Sequence, residues 1–149
     1  MPTRREMMAA AAALAGASLF KPRPAQAATQ LEDAIRERTR GAAVEPGRVT
    51  LGIPQIAENG LSVFTTVSVE SPMTPRDHVK AIHIFSEKNP IAHIVTFRFG
   101  PRAGHAKIAT NIRLADSQRV TAIAEMSDGR FYSDERNVVV TIAACIDGG

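Results

Sequence analysis

Residues 106–114 read AKIATNIRL. Ala106, Ile108, Ile112 and Leu114 fall on one side of an extended chain, and Lys107, Asn111 and Arg113 on the other. This period of two belongs to a strand with one buried face. The pattern spreads outward in both directions. Downstream, Val120–Met126 repeats it, Ser127-Asp128-Gly129 makes a turn, and Val138–Ile142 forms a last strand. Upstream, Gly100–Gly104 turns the chain, and Ile91–Phe99 precedes it with Ile91, Val95, Phe97 and Phe99 facing one way. Val79–Phe85 is a strand ended by Asn89-Pro90. Leu61–Val69 alternates, with Leu61, Val63, Val67 and Val69 inward, and Val49–Ile53 is closed by Pro54. Asn59-Gly60 and the proline pair in Ser71–Pro75 are turn signals. About seven strands at this spacing predict an antiparallel β-sandwich of immunoglobulin-like form, each of its two sheets burying one face.

Ahead of the strands the period changes. Ala28–Arg40 reads as a short helix in which Leu31, Ala34 and Ile35 share a face, and Thr29 with Glu32 form a capping box. Gly41–Gly47 reads as a linker. Residues 1–27 look like none of this. Arg4 and Arg5 precede an apolar run, Met7–Phe20, and Ala25-Gln26-Ala27 offers the small residues that a signal peptidase needs. The expectation is a twin-arginine signal, cleaved after Ala27, that delivers the chain to the periplasm. The apolar run is shorter than the roughly 20 residues that span a bilayer. The domain reading is thus a signal at 1–27, a helix-plus-sandwich domain at 28–142 and a mobile C-terminal arm at 143–149.

The chain has 18 lysines and arginines against 15 acids. Four of those cations (Arg4, Arg5, Lys21, Arg23) and one acid (Glu6) lie in residues 1–27, leaving 14 against 14. A neutral mature chain lacks the basic surface that nucleic-acid binding requires, and no further stretch is long and apolar enough for a membrane span. The four histidines, His78, His83, His93 and His105, show no metal-ligand spacing and read as isolated surface or edge residues. Carboxylates are scattered, and no Gly-x-Ser-x-Gly elbow is present. Glu135-Arg136 and the series Arg36, Arg38, Arg40 read as solvated charges. No cofactor is called for.

The single cysteine is the most informative residue. Cys145 cannot form an internal disulfide, and in an exported protein that implies intermolecular pairing or a free reactive thiol. Three residues past the last strand, its sulfur reaches up to about 10 Å from the body. Its sequence neighbours, Asp147 and the terminal carboxylate, disfavour the thiolate, and even an unperturbed thiol, with a pKa of about 8.5, is only a few per cent ionised at neutral pH. Cys145 therefore reads as a handle on which other proteins act and not as an activated nucleophile. Two rivals remain: a periplasmic interaction domain with an incidental cysteine, and a thiol enzyme, which would need a base or cation near Cys145.

Several short motifs together resemble the SoxY family, the sulfur carriers of thiosulfate oxidation. They are Ile53-Pro54, Ala57-Glu58-Asn59-Gly60, Val69-Glu70-Ser71-Pro72-Met73, Ile84-Phe85 leading to Asn89-Pro90, Arg113-Leu114-Ala115, Ser117-Gln118 with Val120, Ala124-Glu125, Asp128-Gly129 and Val140-Thr141-Ile142. The resemblance implies an immunoglobulin-like sandwich and a heterodimer with SoxZ. It implies thiosulfate-derived intermediates held covalently on Cys145, which is loaded by a haem-containing SoxAX protein. SoxB then hydrolyses the adduct, and a sulfur dehydrogenase oxidises what remains. The carrier itself is not an enzyme. The tail departs from the family's usual Gly-Gly-Cys-Gly-Gly: Ala143-Ala144 precede Cys145, and Ile146-Asp147 follow it. Either the partners are adapted to this tail, or the chain is a divergent carrier or interaction domain for another sulfur species.

Overall fold

The computed structural model describes residues 24–142. Helix α1 (Pro24–Thr39) opens on a proline, whose fixed φ and missing N–H suit the first helical turn. It starts four residues earlier than expected, so Thr29 and Glu32 lie within the helix and do not cap it. At its other end Arg40 (φ 55°) and Gly41 (φ 76°) are left-handed, and Gly41 N donates to the Arg36 carbonyl at 3.0 Å. Leu31 is buried, with Ala34 and Ile35 beside it, against Phe85, Ala92, Ile123 and Phe131.

Nine strands follow: β1 (Val44–Pro46), β2 (Val49–Gly52), β3 (Ile56–Asn59), β4 (Val63–Val69), β5 (Val79–Ser86), β6 (His93–Arg98), β7 (Ala106–Ile112), β8 (Gln118–Met126) and β9 (Phe131–Ile142). The larger sheet runs β1-β9-β8-β5-β6, with β3 also on β9, and the smaller runs β2-β4-β7. The expected two-sheet sandwich is present, and each of the seven expected strands is found.

Three expectations need correction. The supposed linker 41–47 contains β1, and the stretch before Asn59-Gly60 contains β3. Both pair with β9 in parallel, so the sandwich is not purely antiparallel. Strand β9 begins at Phe131 and not at Val138. Leu61 and Ile91 were expected to face inward, but both sit in turns ahead of their strands, 47% and 75% exposed.

The main core lies between the sheets, where Val63, Val67 and Leu51 meet Ile82, Ile84, Val120 and Met126. The larger sheet is also covered on its outer face by α1. This double cover explains why β5 is buried at every position except Lys80, and why β8 is almost wholly buried. A strand buried on both faces loses its alternation.

Candidate functional site at the root of the C-terminal segment

Strand β9 delivers the chain to Ile142, the last described residue. Its final turns are gripped from several sides. Strand β3 runs alongside, placing Asn59 opposite Ile142. Gly60 N donates to the Ile142 carbonyl at 2.9 Å, and Leu114 N donates to the Gly60 carbonyl at 2.8 Å. The Thr141 hydroxyl donates to the Glu58 carbonyl at 2.9 Å. Ser117 Oγ accepts from Val140 N at 2.9 Å and lies 3.4 Å from the Val140 carbonyl. Asn59 Oδ1 accepts from Leu61 N at 2.8 Å, which closes the turn between the sheets.

Two amides brace the neighbouring loops. Buried Gln118 accepts from Lys88 N at 2.7 Å and donates to Asn89 Oδ1 at 2.9 Å and to the Asp116 carbonyl at 3.1 Å. Asn89 also accepts from Ala115 N at 3.0 Å and donates to the Arg113 carbonyl at 2.8 Å. The loops after β5 and after β7 are thus locked together beside the end of β9. Lys88 lies 4.0 Å from Asp116. Arg113 is exposed and makes no ion pair among the described residues.

Cys145 lies outside the described residues, as do Arg4, Arg5 and the whole 143–149 segment. The expected cleavage point after Ala27 falls inside α1. In sequence, Cys145 is the third residue after Ile142.

A second polar cluster sits beneath α1, and sequence reasoning missed it. His83 and His93 are not isolated surface groups. His83 is 4% exposed, and its Nδ1 lies 2.8 Å from Thr96 Oγ1. His93 Nε2 lies 2.8 Å from the same hydroxyl, and Arg38 approaches His93 Nδ1 at 3.5 Å. His83 Nε2 points at Glu125 Oε2, 3.9 Å away. Glu125 Oε1 accepts from Arg40 at 3.1 Å and from Lys80 at 3.3 Å.

Donor counting orders this chain. Arg38 can only donate, so His93 Nδ1 accepts and its Nε2 carries the proton. Thr96 receives that proton's hydrogen bond and has one hydrogen of its own to give His83 Nδ1. His83 Nε2 then carries its proton, but at 3.9 Å from Glu125 Oε2 it is buried without a hydrogen-bond partner. Both rings are neutral in this arrangement. Burial pushes the His83 pKa down to about 4 despite the attraction of Glu125, and burial together with Arg38 lowers that of His93. Burial would raise Glu125, but its hydrogen bonds from Arg40 and Lys80 outweigh that and hold it below the usual range. Arg38, which is half-buried, and Arg40, which is solvated, therefore both have partners in this cluster, whereas Arg36 pairs only with exposed Asp33. Among the described residues no three His, Cys, Asp or Glu side chains gather as metal ligands, and no helix is long and apolar enough to cross a membrane.

A family model for the sulfur oxidation protein SoxY matches residues 34–145. The chain belongs to the SoxY family. Among solved structures, the sulfur carrier protein SoxY from Chlorobium limicola f thiosulfatophilum is similar, with 26% identity and a TM-score of 0.67, covering 78% of this chain and 96% of that one. Superoxide reductase (neelaredoxin) from Ignicoccus hospitalis (17% identity, TM-score 0.56, 70% of this chain and 91% of that one) shares the fold alone. So does superoxide reductase from Nanoarchaeum equitans (15%, TM-score 0.54, 64% and 100%). No curated protein sequence matches.

The SoxY motifs are not spread evenly over this fold. Ala57–Gly60, Asn89-Pro90, Arg113–Ala115, Ser117-Gln118 and Val140–Ile142 all converge on the end of β9, through the hydrogen bonds given above. Val69–Met73 and Asp128-Gly129 lie at the far end of their strands, where Met73 holds a left-handed φ of 50°.

Proposed function

We propose that this SoxY-family protein is a periplasmic sulfur carrier that holds thiosulfate-derived intermediates covalently on Cys145. The observation that carries the reading is the convergence of five SoxY motifs on the strand end three residues before Cys145. The family match extends through Cys145 itself, and the similar solved structure is a sulfur carrier. A rigid root followed by a short tether suits a thiol presented to successive partners.

In this reading the twin-arginine signal at Arg4 and Arg5 exports the chain, with cleavage after Ala27. SoxZ forms the heterodimer. A haem-containing SoxAX partner joins the thiol to thiosulfate. That step forms one S–S bond, loses the thiol proton and passes two electrons to the haem protein. SoxB then adds water across the terminal S–S bond, releasing sulfate and leaving a persulfide for a sulfur dehydrogenase. The carrier contributes no catalytic group of its own. Ile146 and Asp147 favour a narrower second reading, a divergent carrier for a related sulfur anion.

The test is the intact mass of the protein purified from the periplasm of thiosulfate-grown cells, before and after reduction. A reducible sulfur or thiosulfonate adduct mapped to Cys145, and lost in Cys145→Ser, is expected. A bare thiol, or only a disulfide dimer, would remove the carrier reading in favour of an interaction domain.

A further inference from the structure

Beside the C-terminal end of α1 the larger sheet gathers positive charge. Arg40 and Lys80 share a single oxygen, Glu125 Oε1, at 3.1 and 3.3 Å. No other described carboxylate serves two arginine or lysine side chains, and Arg119 instead lies between two acids, Glu87 and Glu135. The shared carboxylate lies beneath its partners: Glu125 is 8% exposed, Arg40 66% and Lys80 51%. An arginine carries five N–H donors and a lysine three. Each spends one on Glu125, and the remainder are left to solvent.

Arg98 adds a third exposed cation. It stands two residues past Thr96 on β6 and so on the same face of the strand. Arg98 and Glu125 flank Ala81 on its two neighbouring strands. The Arg98 charge acts on buried His83, yet Arg98 makes no ion pair among the described residues. With half-buried Arg38 the cluster holds four cations. Against them stand Glu125 and Glu37, the latter felt at His93. Residues 28–149 balance 14 cations with 14 acids, so this excess comes from placement and not from composition. The span of the cluster selects its occupant. Arg98 and Glu125 are two strand spacings apart, roughly 10 Å. A sulfate-sized anion is too small to meet all three exposed cations unless they are drawn together against their mutual repulsion. Several carboxylates on a protein surface match the spacing as it stands. Phe131, opposite Glu125, is at the other end of the 12-residue strand β9 from Ile142, roughly 35 Å away.

We propose that Arg40, Lys80 and Arg98 form a docking face for an acidic surface of a partner protein. A partner seated there leaves the Ile142 end of β9 uncovered. The face is built without Cys145, so this inference and the carrier reading fail separately.

The probe is a dye-labelled peptide of alternating glutamate and serine, titrated with the full mature chain at low ionic strength. Fluorescence anisotropy reads the affinity, and amide shifts of the isotope-labelled protein locate the peptide. Saturable binding is expected, with the shifts gathered around Lys80, Arg98 and the end of α1. Arg40→Gln and Arg98→Gln should each weaken it by about two- to fivefold, the range that an exposed ion pair supports. In the double variant the two losses should multiply. Arg98→Gln breaks no ion pair among the described residues, so its effect cannot come from a damaged fold. Lys107→Gln, on the outer face of the smaller sheet, should change nothing. A peptide that fails to bind, that binds the variants equally well, or that shifts amides elsewhere would overturn the docking face. So would sodium sulfate that saturates the same amides and displaces the peptide at matched ionic strength, because the cluster would then be a small-anion site.

Discussion

The two polar clusters on the larger sheet solve one problem in different ways. Beneath α1, the ionisable side chains of Arg38, His93, His83 and Glu125 gather around the Thr96 hydroxyl, which joins the two imidazoles. At the end of β9, Asn89, Gln118 and Ser117 satisfy backbone groups with neutral amides and a hydroxyl. The first ties a helix to a sheet and responds to pH. The second braces the end of β9 through the neutral side chains of Asn89, Gln118 and Ser117, which do not titrate. Holding the helix on the sheet and bracing the end of β9 thereby fall to chemically different groups.

The largest expected effect separates the two by acid. The folded His83 pKa of about 4 lies below its ordinary 6.5, so between these values the unfolded chain binds a proton that the folded one refuses. Stability is full above pH 6.5, falls as the pH drops, and levels off below about 4. The loss approaches roughly 3 kcal/mol at about 1.4 kcal/mol per pKa unit. The lowered pKa of His93 adds in the same direction. Urea unfolding across this pH range should show the slope, and His83→Gln should flatten it. An unchanged slope in that variant would break the comparison.

Next in size is Asn89→Ala. It removes hydrogen bonds to the Arg113 carbonyl, Ala115 N and Gln118. A cost of about 2–3 kcal/mol is expected, equal at pH 5 and pH 8. A pH-dependent cost would mean that the amide clamp is coupled to the charged chain. Glu125→Ala should cost less, about 1–2 kcal/mol at neutral pH, because Arg40 and Lys80 are 66% and 51% exposed and can rehydrate. Chemical denaturation at pH 7 checks this. Smallest is Ser117→Ala, about 1 kcal/mol, which leaves Val140 N without its acceptor. Hydrogen exchange should quicken at Val140 and not at His83 or Ile123.

The strands with one open face were legible because their alternation is local. Val63, Val67 and Val69, or Ala106 and Ile112, announce a buried side by themselves. Strands β1 and β3 were not legible. Each is short, and each exists through parallel pairing with a strand more than 80 residues away, which no window of sequence contains. The first half of β9 was missed because Ser133–Asn137 is polar throughout, yet it pairs fully with β8. The histidine chain was missed for a related reason. His83, His93 and Glu125 come from three strands, and only a helix laid over them makes a buried site of what the sequence spaces as surface residues. The motifs around the end of β9 were readable one by one, but their convergence was not, because Asn89 and Gln118 meet across two loops.

Strand β9 is the last of the described elements to be synthesised, and it is the strand on which β1, β3 and β8 all pair. Neither β1 nor β3 has another strand partner in its sheet. A ribosome that has made residues up to Gly129 therefore holds a chain whose larger sheet lacks its organising strand. Folding from the N-terminus during synthesis is denied by topology, and the high sequence separation of these pairings slows the closure that follows.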